Sequence, residues 1–171
     1  MTIKDLNKTE YAPFYQPYIT ICGDRELVDA LTTNLNDTYS FFLDIPGDKV
    51  DYRYESGKWT IKELIQHIID SERVFTYRAL RFARNDKTEL KGYDHDNYVP
   101  ESNAGKRNYL ELIEEFKSVR QSSISLFKSF TEEMLLNFGL ANNNSISVRA
   151  ISFIIVGHSR HHCKIIKERY L

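Results

Sequence analysis

Two histidines near the C-terminal end of the sequence have the spacing of metal ligands on a helix. His158 and His162 are four residues apart in a segment, 147–169, that is predicted to form one helix. Side chains at this spacing project from the same helix face, about 5–6 Å apart. Both continue the apolar row of that helix, whereas His161 falls on its flank. Because imidazole is the commonest protein ligand of zinc, nickel and related ions, this pair predicts part of a metal site.

An open metal site needs a third donor, for which the chain offers His67 and His95. Three imidazoles leave one coordination position free for water or substrate. His67 stands early in another predicted helix, at the edge of its apolar stripe, and could meet the pair if the two helices are neighbours. The alternative for an inward histidine is a hydrogen-bonded core residue. No glutamate lies between the two later histidines, so the zinc-protease motif is absent and spacing alone leaves both interpretations open.

Composition limits the classes of protein that the chain can represent. A length of 171 residues, with 42% hydrophobic and 27% charged residues, fits one ordinary globular domain. The net charge of −1 gives no electrostatic reason to expect a nucleic-acid or membrane partner. No apolar run approaches the ~20 residues of a membrane span, and the N-terminus lacks a signal-peptide core. Two cysteines argue against a disulfide framework, so the expected location is the cytoplasm.

Four amphipathic segments predict an all-α fold, a four-helix bundle, with residues 1–171 forming a single domain. Each has apolar residues at the 3.6-residue helical period, and together they cover approximately residues 24–45, 60–85, 106–130 and 147–169. Asp24 and Ser147 are residues of the N-cap type. Thr60 and Glu63 have the spacing of a capping box, which makes the start of the second helix the clearest local signal.

Two other stretches are predicted to be irregular. Residues 1–23 contain several aromatic residues interrupted by prolines, and they are predicted to form a strap over the apolar seam of the bundle. The alternative role is a subunit interface, which makes a homodimer one partner hypothesis. Residues 85–102 form a long connection, and connections of this length are often functional. A turn is expected at 139–144.

Three carboxylates are candidates for catalytic work. Asp70 follows His67 by three residues on the predicted helix and could orient a ligand or take a proton, although a solvated helix face is the commoner explanation for such a residue. Asp94 and Asp96 lie in the long connection and could line the mouth of a cavity. Their alternative role is turn formation, which short polar side chains favour.

Other residues are assigned packing or surface roles. Gly157 interrupts a helical pattern and is expected to let a neighbouring segment approach closely, and Cys163 is expected to be a packed thiol. Arg78, Arg81 and Arg84 are expected to be solvated residues near a helix C-terminus.

The motifs around these histidines resemble those of a known family. Residues 59–73, which contain the capping box and His67, resemble the second-helix signature of the DinB-like superfamily. The family's terminal helix is similar to residues 157–162 and 167–171. Motifs between these two helices are similar to residues 77–84 and 92–96. The resemblance extends over the chain from about Asp24 onward.

This resemblance implies an up-down-down-up bundle and a divalent metal, zinc or nickel, held by His67, His158 and His162. For function it implies a small-molecule enzyme, with transfer of a low-molecular-weight thiol such as bacillithiol, mycothiol or glutathione as the leading hypothesis. The alternatives are metal-dependent hydrolysis and a non-catalytic bundle that binds a metal or small ligand. A bound metal lowers the pKa of a thiol or a water, so both chemistries suit a three-histidine site.

Overall fold

The computed structural model describes residues 1–171 and is dominated by four long helices. Seven α-helices and two short strands occur in the order α1 (Gln16–Ile21), α2 (Leu27–Leu43), α3 (Ile61–Ala83), α4 (His95–Glu101), α5 (Tyr109–Lys128), α6 (Glu132–Leu135), β1 (Phe138–Ala141), β2 (Asn144–Ser147) and α7 (Val148–Arg169). Short 3₁₀ turns lie at Ile3–Asp5, Lys8–Glu10, Pro13–Tyr15, Gly47–Lys49 and Ala104–Lys106. None of the helices combines the length and apolar character needed to cross a bilayer.

The long helices α2, α5, α3 and α7 surround one core as a bundle. Helix α2 packs against α5 and α7, and α3 packs against the same two helices. The end of α7 meets the start of α3, where the Tyr170 hydroxyl donates to the Trp59 carbonyl at 2.7 Å. The start of α5 meets the end of α2, where the Tyr109 hydroxyl donates to the Phe42 carbonyl at 2.8 Å. Both of these helix pairs are therefore antiparallel.

Helices α3 and α5 run in the same direction. Near their starts, Arg107 donates to the Gln66 side chain at 2.6 Å. Farther along both helices, the hydroxyls of Thr76 and Ser123 lie 3.0 Å apart. Because α3 and α5 are parallel and each is antiparallel to its other neighbour, the order is up-down-down-up. This confirms the predicted fold class.

Local capping signals fix the starts of the two helices that carry the histidines. The Glu63 backbone N–H donates to the Thr60 hydroxyl at 3.2 Å, and the Thr60 N–H donates to the Glu63 carboxylate at 2.7 Å. This reciprocal pair is the predicted capping box. At the start of α7, the Ala150 N–H donates to the Ser147 hydroxyl at 3.1 Å, as predicted.

The prediction that Asp24 caps the first long helix is wrong. Helix α2 begins at Leu27, with Glu26 in the N-cap position. Asp24 instead pairs with Lys4 of the N-terminal segment, and the Leu27 N–H donates to the Met1 carbonyl. A contact with a distant part of the chain therefore replaces the local cap. The third long helix also starts later than predicted, at Tyr109 after the capping residue Asn108.

The predicted turn at 139–144 is part of a β-hairpin. Strand β1 pairs antiparallel with β2, and Asn142 and Asn143 between them have φ values of 51° and 60°. Two successive left-handed residues are the requirement of a tight hairpin turn that matches strand twist. Leu90 pairs with Ala141, so the 85–102 connection packs beside the hairpin before forming α4.

The N-terminal segment lies against the bundle at a point where α7 has a glycine. Helix α1 packs along α7, and a Cβ atom added at Gly157 would lie only 2.0 Å from the Tyr18 carbonyl oxygen. Gly157 therefore permits the close approach that its position in the sequence predicted. A homodimer formed through this segment stays a prediction.

We expect Gly157→Ala to destabilise the protein. Removing a glycine from a helix interior would alone gain about 1 kcal/mol. Here the added methyl group collides with backbone that cannot yield without moving α1, and overpacking of this kind costs roughly 1–3 kcal/mol. Urea unfolding should show a net loss, whereas Gly47→Ala, at a site with open space, should stay close to wild type. A gain in stability for Gly157→Ala would contradict the close approach of α1.

A buried carboxylate ties the N-terminal segment to the start of α7. Glu10 accepts hydrogen bonds from the Ser147 hydroxyl at 2.7 Å and from two nitrogens of Arg149 at 2.8 and 2.5 Å. Burial alone would raise the pKa of Glu10, but the bonds from Arg149, the Asn7 N–H and Ser147 outweigh burial and lower it.

This lowered pKa predicts an acid-sensitive contribution to stability. A carboxyl whose pKa is lower in the folded state stabilises the fold above its unfolded pKa, about 4.3 for glutamate. That stability is lost as the pH falls from this value through the folded pKa. Glu10→Gln should therefore unfold at lower urea at pH 7, by roughly 1.5–3 kcal/mol, and should lose less on acidification than wild type. Glu168→Gln, at an exposed position, is the control. An unchanged pH dependence in Glu10→Gln would contradict this role.

Candidate metal centre

Three histidine side chains converge between α3 and α7. The Nε2 atom of His158 lies 3.0 Å from Nε2 of His67 and 3.1 Å from Nε2 of His162. One ring nitrogen from each residue falls within 4.8 Å of the others, and no carboxylate or thiol belongs to this group. The three residues are only 7, 7 and 8% exposed. The structure thus brings together the three histidines that the sequence selected.

Helix geometry positions each of these rings. His67 lies in the second turn of α3, whose start is fixed by the capping box, and the other two lie one turn apart on α7. The Trp59 ring packs 5.0 Å from the His67 ring, and the Tyr18 ring lies edge-on to His158 at 5.5 Å. Residues just before α3 and within α1 therefore restrict the orientation of the imidazoles.

The electrostatics of the cluster suit a bound cation. Burial, with a smaller effect of His95, lowers the pKa of His67 to about 4. Burial and the neighbouring histidines place the pKa values of His158 and His162 well below the usual range. All three imidazoles are therefore neutral at pH 7, and neutral imidazole is the form that binds metals. Hydrogen bonds among three neutral rings leave some nitrogen lone pairs unused, whereas a single metal ion can accept one lone pair from each of the three rings.

Two cavities approach the cluster from different sides. The first, here called the α1 cavity, has a volume of about 460 Å³ and reaches His67 and His158 past Tyr15 and Tyr18. The second, here called the Trp59 cavity, has a volume of about 290 Å³ and reaches His162. Small molecules therefore have two approaches to the same group of donors.

Comparison with known proteins gives the family. The sequence model of the DinB superfamily matches residues 30–166, a range that includes all three histidines. The chain belongs to the DinB superfamily.

Similar proteins carry consistent descriptions. A protein of Oceanobacillus iheyensis named "Putative metal-dependent hydrolase OB0413" is 26% identical over 144 residues, which is 82% of this chain and 79% of that protein. A Bacillus pumilus protein named "Putative metal-dependent hydrolase" is 27% identical over 145 residues, or 82% of this chain and 75% of that protein. YfiT from Bacillus subtilis, described as "a probable metal-dependent hydrolase with an unusual four-helix bundle topology", is similar in structure with a TM-score of 0.69 and 15% identity, covering 96% of this chain and 88% of YfiT.

The three candidate carboxylates of this DinB-superfamily chain lie in different surroundings. Asp94 caps α4, and its carboxylate accepts hydrogen bonds from the backbone N–H groups of Asp96 and Asn97 at 3.0 and 3.3 Å. Asp96 lines the Trp59 cavity. Burial raises the pKa of Asp70. Two neighbours oppose this effect: Gln66, whose side-chain amide donates a hydrogen bond to the carboxylate at 3.0 Å, and Arg73. Asp70 lines neither cavity that reaches the histidines. Catalytic roles for all three stay predictions.

The remaining candidate donors stay outside the cluster. His161 is half-buried on the flank of α7, with its ring 5.3 Å from Tyr18. His95 begins α4, and its ring lies 5.4 Å from that of His67. Cys163 packs against the core, and burial raises the pKa of its thiol to about 12, so it stays protonated.

The prediction that Arg78 is a solvated residue is wrong. It was expected to be solvated, but it is 6% exposed and lines the α1 cavity, whereas Arg84 is exposed as expected. The 85–102 connection covers this part of α3, and the Lys91 carbonyl accepts a hydrogen bond from Arg78 at 3.3 Å. The helix period could have indicated this, since position 78 is eleven residues after His67 and so returns to nearly the same helix face.

Proposed function

We propose that this chain is a metal-dependent hydrolase of small molecules, in which His67, His158 and His162 hold a divalent ion, zinc or nickel. The observation that carries the proposal is the convergence of three buried, neutral imidazoles without a fourth protein donor, next to a cavity. Such an ion, when bound, supplies Lewis acidity and a lowered pKa for water at neutral pH. The descriptions of the relatives support hydrolysis.

The residues of the α1 cavity would bind and orient the substrate. Tyr15, Tyr18 and Phe75 offer aromatic surface to an apolar body. The hydroxyls of Ser71 and Tyr93 lie 2.9 Å apart and present polar atoms to a carbonyl or leaving group. The N-terminal segment supplies Phe14, Tyr15 and Tyr18 to the wall of this cavity. His67 and His158, which also line it, are only 7% exposed, so bulk water has little access to them.

Thiol transfer is the second candidate, and a specific observation favours it. The two cavities open onto different histidines of one cluster, His67 and His158 on one side and His162 on the other. A reaction between a thiol and an electrophile needs space for two substrates beside one activating centre, and this arrangement offers it.

The test uses full-length protein without a polyhistidine tag, loaded with zinc or nickel. Model esters and amides are assayed for hydrolysis, and bacillithiol or glutathione with a bimane electrophile is assayed for conjugation. His161→Ala is the matched control for His162→Ala. The proposal is supported if wild type and His161→Ala hydrolyse a model substrate and His162→Ala shows only background activity. Conjugation alone favours the transferase. Metal binding without either activity favours a non-catalytic bundle and contradicts both enzymatic proposals.

A further inference from the structure

Arg78 is a buried cation without an acidic partner. It is 6% exposed, and none of the ion pairs in the structure includes it. Its hydrogen bond to the Lys91 carbonyl at 3.3 Å uses one of the five N–H donors of a guanidinium group. Burying a charge is costly unless it is paired. The other buried arginines follow this rule, because Arg120 pairs with Glu72 and Arg149 pairs with Glu10.

The α1 cavity supplies no negative charge to Arg78. Twelve residues line it, and none is an aspartate or glutamate. Its other polar side chains carry hydroxyls, an amide and imidazoles. Burial raises the pKa values of Tyr15 and Tyr93, and the neighbouring Arg78 charge opposes this effect in both. The guanidinium therefore faces a cavity in which it is the only permanently charged side chain.

Helix geometry places Arg78 and the histidine cluster at two positions along one cavity. Arg78 follows His67 by eleven residues on α3, about three turns and roughly 16 Å along the axis, on nearly the same face. Ser71 and Phe75 lie between them and also line the cavity. Helical side chains lean toward the helix N-terminus, so the Arg78 side chain is directed back toward His67 and shortens this separation.

We propose that Arg78 binds the carboxylate of the substrate, so that the α1 cavity accepts small molecules with an apolar body and a carboxylate at the end remote from the histidines. A guanidinium matches the planar geometry of a carboxylate and pairs with it bidentately. One cation balances a monoanion, whereas a phosphate monoester carries a charge of about −1.5 to −2 at pH 7 and would remain partly uncompensated. The aromatic walls suit the apolar body, and about 460 Å³ is within the size range of small-molecule sites.

This inference rests on the proposed function only for what happens at the opposite end of the substrate, because carboxylate binding can be measured without turnover. The probes are 4-phenylbutanoate, its neutral analogue 4-phenylbutanamide, and 4-phenylbutyl phosphate. Their affinities for full-length, metal-loaded protein are measured by calorimetry. The variants are Arg78→Met and Arg78→Lys, with Arg84→Gln as a control at an exposed position on the C-cap of α3.

We expect wild type to bind the acid on the order of tenfold more tightly than the amide, the effect of one charge-assisted hydrogen bond. Arg78→Met should lose this preference, Arg78→Lys should keep part of it, and Arg84→Gln should keep all of it. Circular dichroism checks that each variant is folded, and if Arg78→Met does not fold, Arg78→Lys and the ligand comparison in wild type still decide.

For wild type and the Arg78 variants, three results would overturn the inference: equal affinities of wild type for acid and amide, a full acid preference in folded Arg78→Met, or tighter Arg78-dependent binding of the phosphate. Because a bound metal could also attract a carboxylate, His162→Ala is tested as well. This residue does not line the α1 cavity, so the acid preference should persist in its variant. Loss of the preference there would assign the carboxylate to the metal and overturn the role of Arg78. If the protein hydrolyses no model substrate but still shows an Arg78-dependent preference for the acid, the proposed function is wrong and the carboxylate subsite stands.

Discussion

His67→Ala, His158→Ala and His162→Ala should each lose most of the bound divalent metal, whereas His161→Ala should keep it. The first three side chains converge within 4.8 Å, and removal of one leaves only two protein donors. Successive residues on a helix are rotated by 100°, so His161 points away from the proposed metal position. This is the largest functional effect that we expect, since activity should disappear together with the metal.

The measurement is elemental analysis of the four purified variants beside wild type, all prepared without a polyhistidine tag. Circular dichroism should show the same helix content in each, because the apolar core does not depend on a single imidazole. Loss of metal in His161→Ala combined with its retention in His162→Ala would contradict the assignment.

Arg120→Met should cause the largest loss of stability, about 3–5 kcal/mol. Arg120 is fully buried in the bundle and donates to Glu72 at 2.7 Å and also to Asn34. Asn34 accepts a further hydrogen bond from the Ser159 hydroxyl at 2.7 Å, so the network joins all four long helices. Without the arginine, the Glu72 carboxylate would remain buried and unpaired, which is the main cost.

Urea unfolding of three variants beside wild type tests whether the unpaired carboxylate causes this loss: Arg120→Met, a double variant and Arg25→Met. Glu72→Leu combined with Arg120→Met removes both charges and should recover much of the loss, because an apolar pair leaves no uncompensated charge. Arg25→Met, at an exposed ion pair, should change stability by less than about 1 kcal/mol. A double variant as unstable as Arg120→Met alone would show that packing, and not the unpaired carboxylate, causes the loss.

The parts of the structure that follow from local chemistry could be predicted from the sequence. The capping box at Thr60 sets the start of α3, and the hydroxyl of Ser147 sets that of α7. The helical period then places His67, His158 and His162 on buried faces, and the DinB-like motifs indicate the up-down-down-up order. The caps and the helical period are each contained within a few turns of one helix, and the motifs are short local sequences.

The parts that depend on distant contacts could not be predicted in this way. The N-terminal segment competes for Asp24 through Lys4, and the start of α2 moves accordingly. The buried Arg120 network joins residues far apart in the chain, and no local pattern specifies it. Arg78 is buried because the 85–102 connection covers α3, which a prediction of solvated arginines did not consider.

X-ray absorption spectroscopy of metal-stripped wild type refilled with one equivalent of zinc tests the central claim most directly. Three buried imidazoles should give three nitrogen donors with imidazole scattering at about 2.0–2.1 Å, with one further light donor at the open position. The signal should lose one imidazole or disappear in His162→Ala. A sulfur donor at about 2.3 Å, or a coordination shell with no histidine, would contradict a three-histidine centre.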